Sequence, residues 1–150
     1  MNDDLRVLII EDDKDYAALV LRFLEPKISR ENMVVVTTLR DALNTDGKFN
    51  VILSDIMLSD SNGIELINIL HKKWPYIPIV AMSGYVGDNM TKTIIAAGAQ
   101  DFLLKDEINA IRKHLPRVLS RAIDRSEILS KMMYSAIEDL RATIERMNKF

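Results

Sequence analysis

The chain contains no cysteine. Disulfides and thiolate metal sites are thereby excluded, which fits a reducing compartment. Glycine and proline are sparse and stop early: none of the first follows Gly98 and none of the second follows Pro116. From Arg117 to Phe150 no residue breaks a helix. An excess of positive charge is missing too, and a net charge of −2 gives no pull toward nucleic acid. No apolar run approaches the length that spans a bilayer. The opening "MNDDLRVLII" puts acids where a secretory leader puts bases. A cytoplasmic protein is expected.

What is present is the composition of a globular protein. With 150 residues, 48% hydrophobic and 28% charged, the chain suits one domain with a proper core and is too short for two ordinary ones. Short apolar runs recur: "RVLII" (Arg6 to Ile10), "MVVV" (Met33 to Val36), "VILS" (Val51 to Ser54), "IPIVAM" (Ile77 to Met82) and "DFLL" (Asp101 to Leu104). The first four suit strands covered on both faces. Helix-patterned segments lie between them. Tyr16, Leu19, Val20, Phe23 and Leu24 form an apolar stripe ended by Pro26, and Ile67, Leu70 and Trp74 form another, ended by Pro75. A third helix, from Met90 to Ala97, stops at Gly98. The alternation predicts an α/β fold with a five-stranded parallel sheet and helices on both faces.

The last part reads differently. Met133, Ile137, Leu140, Ile144 and Met147 alternate spacings of four and three, the seam of a coiled coil over about two heptads. The expectation is a globular domain over residues 1–125 and a helical extension over 126–150. That extension serves as a dimer seam or as the linker to an output domain, and the chain then reads as part of a longer regulator or hybrid kinase.

Ligands of open parallel sheets bind beyond the carboxyl ends of the strands. There stand Glu11, Asp12 and Asp13 after the first strand, Asp55 after the third, Ser83 and Gly84 after the fourth and Lys105 after the fifth. Central strands lie about 4.8 Å apart, so these side chains can converge. Clustered carboxylates repel one another, and a hard divalent cation removes the repulsion. Mg²⁺ takes one or two carboxylates, waters and phosphate oxygens. The pattern reads as a magnesium site built for a phosphate, with Lys105 and the Ser83 hydroxyl as further phosphate partners. Asp13 is expected to cap the first helix instead.

In order along the chain, "VLIIEDD", "VILSDIM", "AMSG" and "AAGAQDFLLK" resemble the receiver domain of two-component response regulators, over roughly Leu5 to Arg125. The resemblance implies a doubly wound (βα)₅ fold of the flavodoxin-like, CheY-like kind. It implies that Asp55 is the phosphoacceptor, taking a phosphoryl group from a sensor histidine kinase or phosphotransfer protein. Glu11, Asp12, Asp55 and the backbone carbonyl of Met57 would hold Mg²⁺. Lys105 would stabilise the transferring group, while Ser83 and Phe102 would form the switch. Such a chain transfers a phosphoryl group to itself rather than turning over a substrate. Its partners would be the kinase, an output domain or partner protein, and a second copy through the carboxyl-terminal helix. Two positions depart from the family pattern, which usually has proline where Asp106 and Leu58 stand. A trans Lys105–Asp106 bond is therefore expected.

Two rival functions remain. A pseudo-receiver would keep the fold as an interaction module that is never phosphorylated. A haloacid-dehalogenase-type phosphatase needs a second acid two residues beyond its nucleophile, where this chain has Met57. His71 and His114 read as solvated. Arg117, Arg121 and Arg125 read as a solvated basic stripe or half of a dimer contact, with no direct nucleic-acid contact evident.

Overall fold

The computed structural model describes residues 5–85, 87, 89–106 and 108–149, with the side chains of 108–111 left aside. Asp3 and Asp4 in the opening segment lie outside the described residues. Among the described residues, five strands and five α-helices alternate: β1 (Val7–Ile10), α1 (Lys14–Leu24), β2 (Met33–Val36), α2 (Leu39–Leu43), β3 (Val51–Asp55), α3 (Gly63–Lys73), β4 (Ile79–Ser83), α4 (Met90–Ala96), β5 (Asp101–Leu104) and α5 (Ile108–Met147). All strand pairs are parallel, in the order β2-β1-β3-β4-β5. The order reverses between β1 and β3, which puts the topological switch point at their carboxyl ends.

Alternation along the strands builds two cores. Val7 and Ile9 of β1, Val51 and Leu53 of β3 and Val80 and Met82 of β4 face α1 and α5, where Val20, Leu24, Leu115, Leu119 and Ala122 meet them. Leu8, Ile10, Ile52, Ile79 and Ala81 face the other way, toward Leu39, Ala42, Leu66, Ile67, Leu70 and Ile94 of α2, α3 and α4. Strands covered on both faces are mostly apolar, and β1, β3 and β4 are buried at every position, with the polar Ser54, Asp55 and Ser83 at the carboxyl ends of β3 and β4. Each fully buried aliphatic side chain contributes about 1.5–3 kcal/mol. That rigidity is what the strand ends inherit.

Local chemistry sets the helix starts. Asp13 caps α1, its side chain accepting from the N–H groups of Asp15 and Tyr16 at 3.0 and 3.1 Å. Thr38 caps α2 by accepting from Asp41 N–H at 3.0 Å. Helix α2 has only five residues, too few for an apolar period to stand out, and no stripe marked it in the sequence. At the end of α4, Gly98 takes φ 125°, a conformation that L side chains rarely adopt.

Helix α5 runs unbroken for 40 residues with Pro116 inside it. A proline there removes one backbone hydrogen bond, and burial of Leu115, Val118, Leu119 and Ala122 against the sheet offsets the loss. Beyond Ser126, whose hydroxyl donates to the Tyr76 carbonyl at 3.1 Å, the described residues are all exposed. They include Met133, Ile137, Leu140, Ile144 and Met147. Among the described residues no helix is long and apolar enough to cross a membrane.

Candidate functional site

The parallel ladder delivers each site residue to one edge of the sheet. Glu11 follows β1, and its N–H donates to the Val36 carbonyl at 2.9 Å, so the ladder holds the first acid in place. Asp55 is the last residue of β3, paired in register with Met82. Lys105 follows β5, and its N–H donates to the Ser83 carbonyl at 2.8 Å. The peptide bond from Lys105 to Asp106 is trans.

These side chains meet. The Lys105 ammonium donates to Glu11 Oε1 at 2.5 Å and to Asp55 Oδ2 at 2.8 Å. The other Asp55 oxygen, Oδ1, accepts from Met57 N–H at 3.0 Å. Both oxygens of the Asp55 carboxylate are thus tethered, one by a charge and one by the backbone. Carboxylate oxygens of Glu11, Asp12 and Asp55 lie within 4.8 Å of one another, with Glu11 and Asp55 buried and Asp12 exposed.

One lysine faces an excess of acid. Burial pushes the Glu11 carboxyl up to about 8, against the pull of the Lys105 hydrogen bond, and Asp55 raises it further. Burial pulls Lys105 down, but its hydrogen bonds to Asp55 and Glu11 outweigh that and leave it above the ordinary lysine range. Glu11 Oε2 is buried and has no hydrogen-bond partner among the described residues. A buried carboxylate oxygen without a partner is costly, and a hard cation held together with Asp12 and Asp55 would satisfy it. The donor set is all oxygen, which fits Mg²⁺ and not a soft metal.

Ser83 ends β4, and its hydroxyl is engaged with the following loop. It donates to the Tyr85 carbonyl at 2.7 Å and accepts from Tyr85 N–H at 3.1 Å. Phe102 is half-buried and packs against the core beneath α2, α3 and α4. Met57 and Tyr85, on the loops after β3 and β4, are both exposed.

Two contributors escape a reading of the sequence. Tyr16 of α1 places its ring 4.4 Å from the Lys105 ammonium, although its spacing marks it only as part of an apolar stripe. Asp60, in the loop after β3, accepts from the N–H groups of Leu39 and Arg40 at 2.9 and 3.0 Å. Those backbone hydrogen bonds hold its carboxyl below the usual range. The loop that follows Asp55 is thereby fastened to the start of α2, a link across the fold that no local spacing announces.

Against known proteins, the family model described as "response regulator receiver domain" matches residues 7–116. The chain belongs to this receiver family. The nitrogen assimilation regulatory protein NtrX of Azorhizobium caulinodans is 31% identical across 94% of this receiver chain, and the regulatory protein LuxO of Vibrio cholerae is 34% identical across 70%. The receiver chain spans 34% and 25% of the lengths of those two relatives. Among solved structures, a CheY-like receiver domain protein from Methanospirillum hungatei superposes with TM-score 0.70 at 25% identity, covering 82% of this chain and 96% of its own. The five-stranded parallel receiver fold of two-component signalling is therefore shared. The long α5 continues past it.

Proposed function

We propose that this receiver accepts a phosphoryl group on Asp55 from a sensor histidine kinase or phosphotransfer protein, in a Mg²⁺-dependent reaction in the cytoplasm. One observation carries the reading: the Asp55 carboxylate is fixed at a strand end by Lys105 and Met57 N–H, with Glu11 and Asp12 beside it. Glu11, Asp12, Asp55 and the Met57 carbonyl would hold the cation, which when bound neutralises the phosphoryl oxygens and the clustered acids. An Asp55 oxygen forms the new P–O bond as the P–N bond to the donor imidazole breaks. The imidazole leaves with its electron pair and takes up a proton. Lys105 follows the charge from the carboxylate to the phosphoryl group. Phosphoryl transfer asks mainly for positioning and charge stabilisation, and tethered groups supply both without reorganising.

The Ser83 hydroxyl then exchanges its bonds to Tyr85 for one to the attached phosphoryl group, and Phe102 moves with it. The change is read on the face of α4, β5 and α5 by an output domain or partner protein. Acetyl phosphate with Mg²⁺ tests the transfer: intact mass rises by one phosphoryl group in the native chain and not in Asp55→Asn. A chain that gains no mass is a pseudo-receiver acting by contact alone.

A second element rests on the exposed apolar row of α5. With Ile137 and Ile144 at the first heptad position and Met133, Leu140 and Met147 at the fourth, the β-branched residues stand where two-stranded coiled coils favour them. This row forms a dimer seam. Truncation after Ser126 should abolish a dimer seen by sedimentation, and a surviving dimer would move the interface to the receiver body.

A further inference from the structure

Tyr16 meets the site through an aromatic face, turned to the lysine that Asp55 and Glu11 share. Its ring face lies 4.4 Å from the Lys105 ammonium, within the range of a cation–π contact. The residue is half-buried, and a low-dielectric surrounding strengthens the attraction of the ring for the cation. Its hydroxyl is buried with no hydrogen-bond partner among the described residues. Among the described contacts it is the ring face that meets the site. Two carboxylates pull the ammonium from one side, and the ring closes another. Helix α1 holds the ring there because the Asp13 cap accepts from Tyr16 N–H itself.

We propose that Tyr16 is a positioning residue for phosphoryl transfer: its ring is the platform that keeps the Lys105 ammonium aimed at Asp55. This rests on the phosphoryl-acceptor reading of Asp55 and adds a determinant of rate. A lysine carries a flexible four-carbon stem with many rotamers. As charge moves from the Asp55 carboxylate onto the phosphoryl oxygens, the ammonium has to follow by a short shift and not a swing into solvent. A cation–π contact attracts a cation placed over the ring face within about 6 Å of the centroid, so it permits a short shift while resisting escape.

The test is the rate of phosphorylation of the full chain by acetyl phosphate with Mg²⁺, followed by intact mass. Tyr16→Phe keeps the ring and should keep the rate. Tyr16→Leu removes the platform and should slow transfer about tenfold, the factor given by ~1.4 kcal/mol. Tyr16→Met, closer in length, serves if the leucine variant fails to fold, and circular dichroism melts establish that each variant does. The decisive comparison is made in Lys105→Met. A residue acting only through Lys105 has nothing left to act on, so Tyr16→Leu should slow that background no further. Equal slowing in both backgrounds would overturn the proposal in favour of a general packing role. An unslowed Tyr16→Leu, or a Tyr16→Phe as slow as the leucine variant, would overturn it as well. Native chain that takes up no phosphoryl group defeats the reading of Asp55 itself, a result distinct from these.

Discussion

Lys105 Nζ sits 2.8 Å from Asp55 Oδ2, although Asp55 ends β3, Lys105 follows β5, and β4 lies between the two strands. The lysine bridges Asp55 and Glu11, and its charge offsets two buried acids. Lys105→Met should therefore slow phosphorylation of Asp55. It should also destabilise the chain in the absence of Mg²⁺, since it leaves the buried Glu11 and Asp55 carboxyl groups facing each other without a cation. Acetyl phosphate kinetics and urea melts in EDTA check the two effects. Native-like stability in EDTA would show that the bridge contributes nothing to the fold.

Glu11 sets a pH dependence. Its folded value of about 8 lies above the ordinary 4.5, so between those limits the native state holds a proton that the unfolded chain releases. The stabilising contribution is complete below about pH 4.5 and is lost as pH rises to about 8. In EDTA, melting temperature should fall across that window, and Glu11→Gln should flatten the fall. Millimolar Mg²⁺ should raise the melt most at the alkaline end, where the carboxylates are ionised and the folded state binds the cation. An identical slope in Glu11→Gln would assign the pH dependence elsewhere.

Asp60 ties the loop after Asp55 to α2 through two backbone N–H groups. Asp60→Ala should cost about 1 kcal/mol, the scale of a lost helix cap. Hydrogen exchange should quicken at Leu39 and Arg40 first. Unchanged exchange there would mean that Thr38 alone holds the helix start.

Gly98 has no room for a side chain. A Cβ there would lie 2.7 Å from His71 Cγ, on a backbone at φ 125°. Gly98→Ala should destabilise by about 1–3 kcal/mol, because the strained backbone and the displaced imidazole act together. Thermal melts measure the loss. His71→Ala in the same chain should restore part of it, leaving only the backbone share.

The sheet was legible in the order of residues alone. Continuous Val- and Ile-rich runs at β1 to β4 and helical stripes between them admit few arrangements other than a doubly wound one. In a parallel sheet every strand ends at the same edge, so Glu11, Asp55 and Lys105 had to share it. Burial outweighed proline in α5 for a reason also visible in the chain, the apolar spacing of Leu115, Leu119 and Ala122. Long-range packing put Tyr16 against a lysine eighty-nine positions later and made Asp60 the cap of a helix behind it in the chain. A stripe residue and a loop acid have the same local appearance wherever they point. Their partners are chosen by how α1 and the loop after β3 pack on the sheet, and packing depends on the whole core at once.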